Sequence, residues 1–362
     1  YFSSTSSALR SFKTPRRFSL SHSSLRVSQL PQPIASQSVM SMFPKSDDNL
    51  QTLEAYNVYN VSKSRKELLP LQCLFSNVQD SLFLNHQTSS GGGGGFSQEE
   101  SKISALYELI ERDNFLLHWL AGIAPPLIDE ASLSEGVGAY IKKISQRYKL
   151  EVHVLDISYD TPIFSCAVSI IDPILEHVVV GTAAGIDVPE VITKALSEAL
   201  TELHGSKDSA MVASEYDDYI PFSDERIIKE TRKNFYSSSK GVEIFRKIFL
   251  SGKKVSIVSV IERYQKKFIS KKEELVSIET FFKTTSKKKG DGYNLFFLEY
   301  QGTLLRKFNY YAHRAYVPSL MKIWLKESLA TPWSDRLVEF ALSHGRKNFT
   351  EKDVNGYPHP LA

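Results

Sequence analysis

Residues 104–112 and 194–205 share a pattern that gathers glutamates on one helical face and aliphatic side chains on the other. Successive helical residues are rotated by about 100°, so Ser104, Glu108 and Glu111 lie within roughly 60° of one another. A helix that carries its carboxylates on one face must bury its other face against a core. The pattern therefore predicts a fold built around two such helices.

The second stretch places Glu198 and Glu202 at positions i and i+4, where helical side chains are neighbours. Leu196 and Leu200 lie on the opposite face. Either helix alone is typical of a surface helix whose polar side faces water. Carboxylate oxygens are also good ligands for Mg²⁺, so glutamates from two helices could hold metal ions and, through them, ATP. The residues themselves leave both interpretations open.

The wider sequence around the first helix resembles the signature of the YcaO family. In that signature a glycine-containing turn leads into a helix with Ser, Glu and Glu at spacings of four and three, followed by Arg. Residues 91–129 show this order, with Ser104, Glu108, Glu111 and Arg112. Residues 178–203 resemble the family's second glutamate-bearing helix and the strand before it, and residues 314–318 its late arginine-containing strand. The resemblance covers roughly residues 65 to 362.

The resemblance implies an α+β fold of the YcaO type, with mixed sheets packed against helices in one large domain. It implies ATP and Mg²⁺ as cofactors. The register of the second helix stays open, because ALSE and ALTE repeat four residues apart, and the family's Gln three residues further on is replaced by Thr201 or Gly205. The expected cofactor-binding residues are Ser104, Glu108, Glu111, Glu198, Glu202 and Arg314, and the metal ligands among them are Glu108, Glu111, Glu198 and Glu202.

The C-terminal sequence PHPLA resembles the proline-rich tail of the azoline-forming members, which lies near their active site. The tail residues expected to serve catalysis are Pro358, His359 and Pro360, while the third proline of the family pattern is replaced by Ala362. A histidine can act as acid or base near neutral pH, although a histidine without a role is equally compatible with the sequence.

The function that the resemblance implies is an ATP-dependent cyclodehydratase. Members of the family activate a backbone amide oxygen of a ribosomal precursor peptide by phosphorylation and form thiazoline or oxazoline rings. We expect an E1-like leader-peptide-binding partner protein, because residues 1–64 are too short and polar for a docking domain. A homodimer is compatible with the sequence. Two alternatives stay open: thioamide formation on a peptide backbone, and a non-catalytic scaffold that binds partners.

The charge distribution argues against nucleic acid as a partner. Residues 1–46 carry six basic residues, 14 serines and no acidic residue, so the net charge of +3 leaves a body of about −3 (3 minus 6). We predict a flexible arm over residues 1–48, with a transit peptide as the less favoured interpretation, and a catalytic domain over residues 49–362. No apolar run is long enough to cross a membrane. Two cysteines fit a reducing compartment, and we expect the cytoplasm.

Local patterns predict the order of the elements along the chain. The five glycines at 91–95 predict a turn or flexible loop, which either links elements or lets backbone amides approach a nucleotide. Helices are expected near 99–121, 132–148, 189–204, 271–283, 319–329 and 335–344, with another around the EIFRKIF motif. Strands are expected at 151–157, 163–171, 176–182, 255–261, 293–300 and 308–317. The lysine-rich residues 283–292 predict an exposed turn.

Overall fold

A computed structural model describes residues 23–26, 52–75, 88–133, 135–205, 218–264, 268 and 270–361. The strands are β1 Ser23–Arg26, β2 Thr52–Asn60, β3 Arg65–Pro70, β4 Gly92–Gly95, β5 Leu127–Ile128, β6 Glu151–Asp156, β7 Phe164–Asp172, β8 His177–Gly185, β9 Lys254–Val255, β10 Phe296–Glu299 and β11 Tyr311–Tyr316. The helices are α1 Leu71–Leu74, α2 Gln98–Ala121, α3 Glu135–Tyr148, α4 Val188–Gly205, α5 Lys229–Phe235, α6 Ser239–Phe249, α7 Ile257–Tyr264, α8 Lys271–Lys289, α9 Thr303–Lys307 and α10 Asp335–Ser343.

The strands form two sheets, which with the helices confirms the α+β class; the first is antiparallel in all its described pairs, so only the second is mixed. The first sheet has the order β1-β2-β10-β11-β4, with β3 paired to the other side of β2. The second has the order β8-β7-β6-β5-β9, and its strands β6, β7 and β8 form the predicted antiparallel meander. In this second sheet only the short β5–β9 pair is parallel.

Helix α2 runs between the two sheets and joins their cores. Ile103 and Leu106 of its first half pack with Phe297 and Ala315 of the first sheet. Phe115 and Trp119 of its second half pack in a core shared with the second sheet. The predicted boundaries of this helix are confirmed, but it is not a surface helix: Ile110 and Leu117, Asp113 and Asn114 are all buried. On its carboxylate face Glu111 is buried, while Ser104 and Glu108 are half-buried.

Helix α2 ends at Ala121, before it reaches the Ala-Pro-Pro sequence at 124–126. Gly122 adopts a left-handed conformation with φ of 59°, and its N–H donates to the carbonyl oxygens of His118 and Trp119. A glycine in this conformation terminates a helix without steric cost.

The predicted strand at residues 255–261 is wrong beyond its first residue. Strand β9 ends at Val255, and α7 follows from Ile257. The β-branched composition favours a strand locally, but Ile257, Val260 and Tyr264 are buried at helical spacing. The hydroxyl oxygen of Ser132, far away in the sequence, accepts the N–H of Ile257 at 2.9 Å and caps this helix.

Two further predictions near the C-terminus are wrong. Helix α8 continues through the lysine-rich sequence to Lys289, where its positive side chains favour a helix C-terminus, and it ends at Gly290. Residues 319–329 do not form an α-helix. Instead, the Lys322 ammonium donates to the carbonyl oxygens of Val317, Pro318 and Leu320, so a side chain satisfies backbone groups that a helix would otherwise pair.

The glycine run is a strand, not a turn. Strand β4 pairs antiparallel with β11, with Gly93 opposite His313 and Gly92 opposite Arg314. A Cβ atom on Gly93 would lie 2.2 Å from the Ala105 nitrogen of α2. Glycine is thus required because helix and strand approach more closely than any side chain allows.

Most of the predicted N-terminal arm lies outside the described residues. Its one described part, β1, pairs antiparallel with β2. Among the helices of the described chain, none is long and apolar enough to cross a membrane.

Candidate functional site

Two glycines bring the glutamate-bearing helices together. Gly93 allows α2 to approach β4, and Gly181 does the same for α4 and β8: a Cβ atom there would lie 2.2 Å from the Ala195 carbonyl oxygen. Residues Ala195 and Ala199 of α4 are buried against this contact. The close approach places Glu198, on the same helix, next to the strand residue that follows Gly181.

That strand residue is Thr182, and it connects the glutamates of the two helices. Its hydroxyl donates to Oε1 of Glu111 at 2.6 Å, while its backbone N–H donates to Oε2 of Glu198 at 2.7 Å. The guanidinium of Arg112 donates to the Thr182 hydroxyl at 3.2 Å. It also lies 3.4 Å from Glu111 and 3.6 Å from Glu198. Both predicted helices therefore contribute to one charged cluster.

Glu108 reaches this cluster from one turn earlier in α2, and its carboxylate makes no hydrogen bond or ion pair with any described residue. Its Oε2 lies 3.7 Å from the position of a Cβ atom on Gly92. Arg314 stands directly opposite Gly92 in the sheet, so the two residues share one sheet face. Glu108 is thus a half-buried carboxylate placed between two guanidinium groups.

Burial dominates the electrostatics of these carboxylates. The pKa of Glu108 is raised to about 7, chiefly by burial; the charges of Arg112 and Arg314 lower it, and those of Glu111 and Glu198 raise it. Burial also raises the pKa of Glu111, which is only 6% exposed. Carboxylates that are held together in this way gain strongly from a cation. The pKa of Arg112 is raised, chiefly by Glu111 and Glu198 against the opposing effect of burial, so it stays charged.

Arg314 is buried, in contrast to an arginine on an exposed strand. Its Nη2 donates to the Thr88 carbonyl oxygen at 2.7 Å, and its Nε has no hydrogen-bond partner among the described residues. A buried donor without a partner costs free energy, and an anionic ligand would remove that cost.

The remaining predicted ligands are less tightly held. Ser104 is half-buried one turn before Glu108 on the same helix. Glu202 is half-buried one turn beyond Glu198 and makes no hydrogen bond or ion pair with the described chain. The contacts of Thr182 therefore favour the register in which Glu198 belongs to the site.

The arrangement does not present a preformed metal cage. Within the described ranges, no three His, Cys, Asp or Glu side chains lie close enough to hold one ion. The guanidinium of Arg112 lies between Glu111 and Glu198, where it balances their charge. The carboxylates still fit Mg²⁺ chemically, because this ion keeps several waters and needs few protein ligands.

The C-terminal tail is buried and held through its backbone. Four side chains donate to its carbonyl oxygens: Trp119 to Tyr357 at 3.0 Å, Tyr219 to Gly356 at 2.8 Å, Arg232 to Leu361 at 3.3 Å, and Tyr236 to Pro358. These bonds do not depend on which side chains the tail carries. The path of the tail is thus defined without a third proline.

His359 lies within this buried tail, with its ring 4.9 Å from that of Trp324. Burial lowers its pKa well below the usual range, and the charges of Arg232 and Arg112 act in the same direction. The imidazole is therefore neutral at pH 7. The bond from Trp119 to Tyr357 places the tail against α2, the helix that carries Glu108 and Glu111. The catalytic role of Pro358, His359 and Pro360 stays a prediction.

Sequence reasoning missed Thr182, Gly181 and the residues that hold the tail. Gly181 and Thr182 interrupt an apolar strand, VVVGTAAG, and a glycine within a strand marks a close approach of backbones. The sequence around Arg232 and Tyr236 carries no signal of their role, because their hydrogen-bond partners lie more than 90 residues away.

The sequence was compared with models of known protein families. A sequence model described as YcaO cyclodehydratase, with ATP and Mg²⁺ binding, matches residues 13–320. The chain belongs to the YcaO family. This match includes both glutamate helices and β11 and also extends into the segment predicted as an arm. The family's ligands, ATP and Mg²⁺, are those that the resemblance implied. A search among curated protein sequences gives no match.

Solved structures of YcaO proteins share this fold. A heterocyclase in complex with substrate and cofactor matches with a TM-score of 0.64 at 17% identity, over 86% of this chain and 38% of its own. The YcaO protein from Methanopyrus kandleri bound with AMPPCP and Mg²⁺ matches with a TM-score of 0.56 at 14% identity, over 74% of this chain and 64% of its own.

The E. coli microcin synthetase McbBCD complex with pro-MccB17 bound is a third match. Its TM-score is 0.60 at 10% identity, over 95% of this YcaO chain and 83% of the matched chain. The present chain spans less than two thirds of the first structures that it matches, at 38% and 43% of their lengths.

Proposed function

We propose that this YcaO protein is an ATP-dependent cyclodehydratase that forms thiazoline or oxazoline rings in a ribosomal precursor peptide. The observation that carries the proposal is the cluster of Glu108, Glu111 and Glu198 around Arg112. Burial raises the pKa of Glu108 and Glu111, and a divalent cation is a ligand that would favour their charged form.

Glu108 is the carboxylate most available to a metal ion, because it makes no hydrogen bond or ion pair with the described residues. Glu111 and Glu198 are held in place by hydrogen bonds from Thr182 and would be further ligands. Arg314, with its unpartnered Nε, and Ser104 would contact the phosphates. ATP would supply the phosphoryl group that turns an amide oxygen into a leaving group, and Mg²⁺ would neutralise its phosphates.

The residues of this chain would act mainly by position and charge. Arg112 stays protonated between two carboxylates, so it can stabilise negative charge without taking part in proton transfer. His359 is neutral and enclosed, and its lowered pKa makes it a weak base, so it would act by hydrogen bonding and position rather than by carrying a proton. A leader-binding E1-like partner would deliver the peptide; the McbBCD relative, a multi-protein complex with pro-MccB17 bound, supports this part of the proposal.

The test begins with calorimetric titration of Mg·ATP into the full chain. We expect saturable binding by the wild type, loss of binding in Glu108→Gln, and unchanged binding in Glu202→Gln. Incubation with Mg·ATP, a leader-binding partner and candidate precursor peptides should then remove one water per ring, as measured by mass spectrometry.

Other outcomes would identify the alternatives. Replacement of one oxygen by sulfur, with a sulfide source present, would indicate thioamide formation. The absence of Mg·ATP binding would contradict both enzymatic proposals and support a non-catalytic scaffold. The position of Arg112 is compatible with a scaffold, because its guanidinium pairs with Glu111 and Glu198 without a metal ion.

A further inference from the structure

Strand β4 lies at the edge of the first sheet, and it borders the glutamate cluster. The N–H of Ala315 in β11 donates to the Gly91 carbonyl oxygen at 2.8 Å, so Gly91 and Ala315 form a hydrogen-bonded pair between the two strands. In an antiparallel ladder such pairs alternate with pairs whose backbone groups point away. Gly91, Gly93 and Gly95 therefore face β11, while the N–H and C=O groups of Gly92 and Gly94 point to the open edge.

The backbone groups at this edge have no other partner among the described residues. The next group in the series, the N–H of Phe96, donates to the Glu100 carboxylate at 2.9 Å, which ends the open stretch. Gly92 and Gly94 are half-exposed, whereas the intervening Gly93 is buried. An extended polypeptide, which repeats its outward groups every two residues, matches this spacing.

One end of the edge meets the candidate site, because Glu108 Oε2 lies 3.7 Å from the Cβ position of Gly92. The other end meets an apolar surface: Phe96 is 73% exposed and packs edge-to-face on Tyr310. Leu304 and Phe308, one helical turn apart, are 71% and 64% exposed. Exposed apolar clusters of this kind mark docking sites.

A cavity of about 220 Å³ opens beside this surface, lined by Tyr300, Leu305, Tyr310 and Tyr311 among others. Tyr311 is the residue paired with Gly95, so the cavity lies at the end of the same edge. From Gly92 to Phe96 an extended chain spans about 13 Å, or four residues. A peptide along the edge would therefore place one side chain in the aromatic region when another residue lies beside Glu108.

We propose that the open edge of β4 at Gly92 and Gly94 binds the substrate peptide as an added strand, with its reacting amide beside Glu108 and an apolar residue about four positions away in the Phe96–Tyr310 region. The inference rests on the proposed function for the identity of the peptide, but it can be tested separately.

The peptide probe is an acetylated, fluorescein-labelled nonapeptide of alternating valine and threonine, with one cysteine and a phenylalanine four residues from it. Single backbone N-methylation at each position removes one donor without changing the side chains. We expect about a tenfold loss of affinity for the full chain at every second position and less than threefold at the positions between. A uniform effect, or none, would contradict the inference.

Variants of the protein provide the second measurement. Gly92→Pro deletes the outward N–H and keeps the ladder to β11, since an edge strand accepts proline where its N–H faces outward. Gly92→Ala is the matched control, because its Cβ would meet only atoms at 3.7 Å. We expect about tenfold weaker peptide binding in Gly92→Pro, with Mg·ATP binding and melting temperature near those of Gly92→Ala.

Hydrogen exchange of ¹⁵N-glycine-labelled protein identifies the occupant without any substitution. The amides of Gly92 and Gly94 should exchange rapidly in the free chain and become protected by the peptide. Protection already in the free chain would show that another part of the protein covers the edge, and protection by Mg·ATP alone would show a nucleotide there. Either result overturns the inference.

The two proposals fail in different ways. If Mg·ATP binds and peptide binding lacks the two-residue alternation, the edge inference is wrong and the proposed function stands. If the alternation is present and Mg·ATP does not bind, the edge is a peptide site of a protein that is not an ATP-dependent enzyme.

Discussion

Replacing Glu108 by Gln should stabilise the ligand-free protein. The carboxylate is half-buried without a partner, and burial raises its pKa from 4.5 to about 7. Because the folded state holds the proton more tightly than the unfolded state, ionisation opposes folding as the pH rises through this window. At about 1.4 kcal/mol per pKa unit the ceiling is about 3 kcal/mol, and solvent at the open side reduces the expected gain to about 1–2 kcal/mol.

The pH dependence gives the prediction its sign. Below pH 4.5 the side chain is protonated in both states, so Glu108→Gln and the wild type should have similar free energies of unfolding. The advantage of the variant should grow between pH 4.5 and about 7 and remain constant above that. Urea unfolding without nucleotide, at pH 5 and pH 8, measures the difference.

The same variant should lose its response to nucleotide. Mg·ATP at a hundredfold excess over its Kd should stabilise the wild type by about 2.7 kcal/mol through linkage, and Glu108→Gln should show little of this gain. ATP without Mg²⁺ should have much less effect on either protein. Glu202→Gln, the matched control one turn from Glu198, should change neither quantity. Destabilisation of Glu108→Gln at pH 8, or a difference that does not depend on pH, would refute the reasoning.

Three further predictions test the framework around the site. Gly181→Ala should prevent folding or lower the melting temperature strongly, since its Cβ would lie 2.2 Å from a carbonyl oxygen, whereas Gly136→Ala, with nothing within 4 Å, should be neutral or stabilising. Tyr236→Phe should cost about 1–3 kcal/mol in urea unfolding and expose the C-terminal tail to carboxypeptidase; unchanged proteolysis would contradict the described clamp. Arg336→Met should cost about 3–5 kcal/mol because it leaves the buried Asp113 carboxylate unpaired, and a cost below 1 kcal/mol would show that Asp113 is neutral.

The sequence alone determined the elements whose signals are local. The boundaries of α2 and α4 and the meander β6–β8 follow from periodicity and from turn residues that lie next to one another in the chain. The family resemblance rests on the same kind of signal, because Ser104, Glu108 and Glu111 recur at spacings that one helix imposes.

Local signals failed where distant residues decide the conformation. The β-branched run at 255–261 became helix α7 because one face packs in the core and Ser132 caps its first turn. The glycine run became strand β4 because β11 was available to pair with it. Residues 319–329 lack an α-helix, and the Lys322 ammonium instead donates to the carbonyl oxygens of Leu320 and of Val317 and Pro318 just before them.

The tertiary structure also decided what the sequence left ambiguous within the site. ALSE and ALTE are equivalent in sequence, yet only Glu198 meets Thr182 and Arg112, because the contact of α4 with Gly181 sets the rotation of the helix. The pattern of glutamates is equally compatible with a solvated surface. Contacts with Thr182 and Arg112, which depend on the packing of both helices against the sheets, join Glu111 and Glu198 in a charged cluster instead.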